Sequence, residues 1–230
     1  MQNGIEGIGF DLDGTLYPNY RLNTRLIPFA LKEWRLVTAF GRAREIIRKK
    51  QEIAPLPQGD FYEYQAEFTA KILSVSPQQL KEKIDLLIYK GWEPMFKKIK
   101  LFSRVAEILV AMRKAGFKLG LLSDFPPETK LEYLGISGLW DSVLCSERFG
   151  ALKPHPLSFT KLAAEMSLPP EKILYVGNSR PYDVTGANRA GMKTAWIKPL
   201  LFPGSGLKKP KADFTFTDYR QLFDFVINYR

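Results

Sequence analysis

Two carboxylates and a hydroxyl fall within five residues near the start of the chain, in Asp11-Leu12-Asp13-Gly14-Thr15. Ile5, Ile8 and Phe10 ahead of them read as a short buried strand that stops where the acids begin. Side chains alternate faces along a strand, but a bend at its end lets both acids serve one site. Gly14 permits that bend. Two acids converging at the carboxyl end of a strand suit a hard divalent cation with a phosphate ester beside it. Further groups stand at similar places downstream. Ser123 and Asp124 end the apolar run 119–122, Lys153 precedes a proline, and Asn178 follows Val176-Gly177 with Asp183 shortly after. Together they offer a nucleophile, an acid/base, oxygen ligands and a fixed positive charge, which phosphoryl transfer requires. Mg²⁺ is the natural ion, because the donors are oxygens and neither cysteines nor histidines cluster.

The elements that must position these groups alternate. Strand patterns fall at 118–122, 142–145, 173–176, 193–197 and 214–216, separated by helical stretches at 104–115, 127–134, 156–167 and 181–190. A Pro/Gly/Lys-rich loop is expected at 199–212, and a terminal helix carries Leu222, Phe223, Val226 and Ile227. Such alternation implies an α/β fold, a parallel sheet covered by helices on both faces, with functional groups at the strands' carboxyl ends. Asp11, Ser123, Lys153 and Asn178 all sit at or just beyond such ends.

Between Tyr17 and about residue 100 the pattern is helical throughout. One helix is expected over 22–40, a continuation over 43–53, a break at 55–60, a helix over 61–75 and another from Ser76-Pro77 to about Tyr89. Four helices in succession suggest a small bundle. This segment holds 16 Lys/Arg against 9 Asp/Glu, and so carries most of the chain's net charge of +10. A basic insert over an acidic site would attract phosphorylated substrates. It could equally be a solvated surface or a weak nucleic-acid footprint. The aromatics lie on the apolar helix faces more than among the basic residues, which argues for core packing over base stacking.

The single cysteine, Cys145, excludes an internal disulfide framework and reads as a buried small hydrophobe. His155, the only histidine, stands between prolines and reads as a packed or surface residue, which leaves no material for a His-based triad. No run approaches the roughly 18 apolar residues of a membrane span, and no export segment is visible. A cytoplasmic location is expected.

In order, Asp11-Leu12-Asp13-Gly14-Thr15-Leu16, Leu121-Leu122-Ser123-Asp124, Leu152-Lys153-Pro154-His155-Pro156 and Val176-Gly177-Asn178-Ser179 with Asp183 resemble the four motifs of the haloacid dehalogenase (HAD) superfamily. The resemblance spans nearly the whole chain and is strongest to the phosphatase branch, phosphoglycolate phosphatase-like, with a helical cap inserted after the first motif. It implies a Rossmann-like core of residues 1–16 and 101–230 and a cap of residues 17–100. It also implies a Mg²⁺-dependent phosphatase of a small phosphate monoester, working through an aspartyl-phosphate intermediate. Asp11 would be the nucleophile and Asp13 the acid/base. Ser123, Asp124 and Lys153 would surround the phosphate, and Asp11, Asp13, Asn178 and Asp183 would hold the metal. One departure is Asn178, where the family commonly has an acid: an amide oxygen can ligate Mg²⁺ but brings no charge.

Within the family Asp13 argues against a halide substrate, because the dehalogenases lack an acid there. A sugar-phosphate mutase uses the same core, and a non-catalytic HAD-like module binding a partner through its basic insert is the other alternative. Arg21, Arg25, Arg42, Lys90 and Lys97 are candidates to meet a second anionic group on the substrate, and Trp92 reads as hinge packing rather than cavity lining. The substrate's identity and the oligomeric state are not legible in the sequence.

Overall fold

The computed structural model describes residues 4–53, 59–198 and 210–228. Its framework is a parallel six-stranded sheet in the order β3-β2-β1-β4-β5-β6. The strands are β1 (Gly7–Phe10), β2 (Lys118–Ser123), β3 (Ser142–Cys145), β4 (Ile173–Gly177), β5 (Lys193–Ile197) and β6 (Phe214–Phe216). β1 lies between β2 and β4, with Phe10 level with both Leu121 and Val176. The order reverses direction at β1, so a crevice opens beyond the carboxyl ends of β1, β2 and β4. That crevice is where Asp11, Ser123 and Asn178 were expected.

Both faces of the sheet are covered, as near-continuous apolar strands require. On one side α6 (Val105–Lys114) and α10 (Tyr219–Asn228) pack Leu109, Met112, Leu222 and Val226 against Ile8, Phe10, Leu174 and Val176. On the other, α8 (Pro156–Glu165) and α9 (Thr185–Arg189) pack Phe159, Leu162 and Ala187 against Leu122, Ile173 and Tyr175. A short α7 (Glu128–Tyr133) follows β2. No helix of the described residues is long and apolar enough to cross a membrane.

Among the described residues the inserted cap contains five α-helices: α1 (Asn19–Lys32), α2 (Trp34–Gln51), α3 (Phe61–Leu73), α4 (Pro77–Ile84) and α5 (Gly91–Phe96). Its own core joins Leu36 and Phe40 of α2 to Ala66 and Ala70 of α3 and Leu80 and Ile84 of α4. Chain exit and return are stitched together, since the Phe102 N–H donates to the Leu16 carbonyl at 2.9 Å.

Two helix boundaries differ from the sequence reading. The stretch read as one helix over 22–40 breaks at Glu33, whose backbone leaves the helical region (φ −110°, ψ 30°). Pro28 has already removed one amide donor from α1. The break lets α1 and α2 present their apolar residues to different places: Leu22 joins the core beneath the sheet, and Leu36 joins the cap's core. The helix expected to end near Tyr89 instead widens into a π-helical turn over Asp85–Lys90 and runs on as α5. The loop expected at 199–212 lies mostly outside the described residues.

Candidate active site

Asp11 follows β1 directly and remains in its ladder, its N–H donating to the Val176 carbonyl at 2.9 Å. Its carboxylate is almost wholly buried and accepts two short hydrogen bonds, from Thr15 Oγ1 at 2.6 Å and from Lys153 Nζ at 2.6 Å. Burial pushes the Asp11 carboxyl up to about 7; Lys153 pulls against that rise, while Asp183 and Asp13 add to it. Lys153 arrives from the loop after β3 and is buried too. Its ammonium also donates to Asp183 Oδ1 at 2.8 Å and lies 3.4 Å from the Tyr175 hydroxyl. Burial disfavours the charge on Lys153, but Asp11 and Asp183 outweigh it and hold the amine well above its ordinary value. A fixed cation therefore bridges two acids at the bottom of the crevice.

Asp183 sits in a π-helical turn over Arg180–Val184 and accepts from the Ser179 N–H at 2.8 Å. A Cβ on Gly177 would lie 2.4 Å from the Asp183 carboxyl carbon, so glycine lets that carboxylate reach the strand end. Gly14 meets two demands. Its backbone is left-handed (φ +89°), and a Cβ there would meet the Asn178 amide nitrogen at 2.1 Å. Asn178 thus packs on the turn that carries Asp13.

Asp13 has a separate environment. Both its oxygens accept from Lys130 Nζ at 2.8 Å, and the Tyr17 hydroxyl donates to one of them. Lys130, on α7, also lies over the rings of Phe96 (4.8 Å) and Phe125 (5.4 Å). Ser123 ends β2, buried, with its Oγ accepting from the Phe125 N–H at 3.2 Å.

The Asp124 carboxylate is engaged elsewhere. It accepts from Arg48 at 2.8 Å, Ser146 Oγ at 2.6 Å and the Lys153 N–H at 3.0 Å. Burial opposes its ionisation, but Arg48, Lys153 and Arg44 prevail and hold it well below the usual carboxylate range. This network fastens α2 to the loop that carries Lys153. Arg48 Nε donates to the Lys153 carbonyl at 2.9 Å, Gln51 brackets the loop through the Gly150 carbonyl and the Leu152 N–H, and Arg44 pairs with buried Glu147. His155, read as a packed or surface residue, is half-buried and caps α8, its Nδ1 accepting from the Leu157 N–H at 3.2 Å.

A cavity of about 430 Å³ lies between cap and core beside Asp13 and Lys130. Its walls include Leu26, Phe29, Val37, Ile88, Trp92 and Phe125. Arg21, Arg25, Arg42, Lys90 and Lys97, the expected contacts for a second anion, are not among its lining residues. Lys90 instead pairs with Asp85 on the surface, and Lys97 lies over Tyr133. Trp92, read as hinge packing, does pack on both cores but lines this cavity as well.

The donors that would face a metal are the Asp11 and Asp183 carboxylates, the Asp13 main-chain carbonyl and the Asn178 amide. Among the described residues no group of three or more His, Cys, Asp or Glu could hold a metal ion. A two-carboxylate, all-oxygen set matches Mg²⁺, which binds through one or two acids plus water and substrate phosphate. Sequence reasoning missed Lys130, Tyr17, Tyr175, Arg44 and Arg48. Only Tyr175 left a signal, since a tyrosine inside a buried strand needs a partner for its hydroxyl.

The sequence profile of the haloacid dehalogenase-like hydrolases matches residues 5–191. The chain is 30% identical over 233 residues to a glyceraldehyde 3-phosphate phosphatase of Methanopyrus kandleri, covering 96% of this chain and 97% of that one. It is 29% identical over 207 residues to haloacetate dehalogenase H-2 of a Moraxella species, covering 86% and 88%. An L-2-haloacid dehalogenase structure from Xanthobacter autotrophicus superimposes with a TM-score of 0.69 at 16% identity, over 98% and 100% of the two chains, and shows the shared fold. The chain is a hydrolase that belongs to the haloacid dehalogenase-like family, and its likeness to phosphatases supports a place in the phosphatase branch.

Proposed function

We propose that the protein is a Mg²⁺-dependent phosphatase of small phosphate monoesters, acting through an aspartyl-phosphate on Asp11. The observation that carries this reading is the separation of the two acids of the first motif. Asp11 is buried against Lys153, whereas Asp13 stands at the cavity with its own cation. A nucleophile must be ionised and aimed: Lys153 opposes the rise that burial imposes on Asp11, and Lys153 and Thr15 hold its carboxylate from two sides. An acid/base must reach the departing oxygen, and Asp13 borders the space that oxygen's substituent would occupy.

In the first step an Asp11 oxygen forms a bond to phosphorus while the ester oxygen leaves and takes a proton from Asp13. In the second, Asp13 removes a proton from water as the water oxygen attacks phosphorus, and Asp11 is released with inorganic phosphate. Ser123 and Lys153 hold the non-bridging oxygens, where negative charge accumulates. Mg²⁺, held by Asp11, Asp183, Asn178 and the Asp13 carbonyl, would supply further charge neutralisation at the phosphoryl group. A halide needs no proton to depart, so a dehalogenase would have no use for Asp13 as an acid.

We assign residues 17–100 as the cap and 1–16 with 101–230 as the catalytic core. The substrate is a small phosphorylated molecule, and the site of action is the cytoplasm. The test is phosphate release from a panel of monoesters with Mg²⁺ or with chelator. Wild type should release phosphate only with Mg²⁺, and Asp11→Asn should lose at least about 1,000-fold in kcat. Activity within tenfold of wild type would remove Asp11 as nucleophile.

A further inference from the structure

The wall of the cavity beside Asp13 is built for an apolar group. Its charged and hydroxyl members are largely engaged with one another or with the protein behind them, and the Trp92 indole N–H is a buried donor without a partner among the described residues. Lys130 is paired with Asp13, Thr129 donates to Glu93 at 3.3 Å, and the Tyr89 hydroxyl lies between Gln65 and Glu147. The cation that lines the cavity is therefore already directed to Asp13 at its edge, and Glu93 adds a negative charge. A substrate bearing a carboxylate or second phosphate would find repulsion there and no guanidinium to meet it. Isolated charges in such a setting are costly to desolvate. Leu26, Phe29, Val37, Ile88, Trp92 and Phe125 offer the opposite: contact area from α1, α2, the π-helical turn over Asp85–Lys90, α5 and the loop after β2. The volume is in the range of small-molecule sites, about 300–1,000 Å³.

Resting on the phosphatase reading for its chemistry, we propose that the preferred substrate is the phosphate monoester of a hydrophobic alcohol, its alkyl or aryl body seated in this cavity. Asp13 joins the two halves of the argument, since the residue that would protonate the leaving oxygen also borders the apolar space. Hydrophilic esters such as phosphoglycolate or glyceraldehyde 3-phosphate would leave the walls wet and gain nothing from them.

The test is a series of straight-chain alkyl phosphates from ethyl to octyl, assayed with Mg²⁺ beside phosphoglycolate and glyceraldehyde 3-phosphate. Burial of each methylene at about 0.8 kcal/mol corresponds to a rise in kcat/KM of about threefold to fourfold per carbon until the cavity is full. A flat or falling series, or either hydrophilic ester outrunning hexyl phosphate, overturns the proposal while leaving the phosphatase reading intact. Calorimetric titration with hexylphosphonate and with 3-phosphonopropionate separates binding from turnover. Tighter binding of hexylphosphonate supports the apolar site even if no ester in the series is hydrolysed, an outcome in which the phosphatase reading alone fails. Equal or tighter binding of 3-phosphonopropionate refutes the apolar site.

Discussion

Helix α2 meets the catalytic core through ion pairs and amide hydrogen bonds, whereas α1 and α5 face it across an apolar cavity. On the α2 side Arg44, Arg48 and Gln51 hold the 146–153 loop, and with it the backbone of Lys153. On the other side the contact is largely apolar, with Leu22 and Phe96 packed into the core and Thr129 donating to Glu93. The contrast separates two tasks within one insert. One flank positions a catalytic charge and must be rigid; the other must accept and release a ligand. Charged hydrogen-bonded networks suit the first task because their geometry is specific, although their net stabilisation is small once desolvation is counted. Apolar walls suit the second because their attraction is not directional.

The contrast can be broken from the rigid flank, starting where the largest effect is expected. Lys153→Met leaves Asp11 and Asp183 buried without their shared cation. Activity should fall at least about 1,000-fold, and unfolding should become easier by about 3–5 kcal/mol in urea titration. A variant retaining a tenth of wild-type kcat would show that the bridge is not needed for the reaction.

Asp124→Asn should cost about 3 kcal/mol near neutral pH, because Arg48 loses its charged partner and Arg44 keeps only Glu147. The folded carboxyl lies below the unfolded value of about 3.9, so its contribution is complete above that value. It declines as pH falls toward the folded value. The difference between variant and wild type should therefore be full at pH 6 to 7 and shrink below about pH 4. A difference that stays constant with pH would mean that the charge on Asp124 is not what secures the tether.

On the cavity side, Lys130→Met should leave the fold intact and lower kcat by about tenfold, since Asp13 keeps Tyr17 but loses the ammonium that orients it. Steady-state kinetics with unchanged KM would mark Lys130 as a positioning residue. A change confined to KM would place it in substrate binding instead.

Much of this architecture was written in local patterns. The strands were legible as short apolar runs stopped by polar or glycine residues, and a parallel sheet followed from their alternation with helices, whereas the order of the strands in space came only from the structure. Asp11, Ser123 and Asn178 stand at or just past such runs, and Lys153 and Asp183 could be added from the ordered motifs that follow the later strands. What escaped was set by long-range packing. Lys130 and Arg48 are two among 34 basic residues, and neither has a local feature that distinguishes it. The overall positive charge of the insert suggested cations turned toward the substrate, whereas Arg44 and Arg48 are directed to Glu147 and Asp124. The break at Glu33 was hidden because apolar residues on both sides keep helical spacing while serving different cores. Asp124, adjacent to a phosphate-binding candidate, looked equally suited to that role until its partners were known.

The central claim is that Asp11 and Asp13 divide nucleophile and acid/base between them. Its most direct test is mass spectrometry of Asp13→Asn after mixing with Mg²⁺ and p-nitrophenyl phosphate, whose leaving group needs no proton. Loss of the base should stall the second step, so that a phosphoryl group accumulates on the peptide containing Asp11. Steady phosphate release from this variant, with that peptide unmodified throughout, would contradict the account.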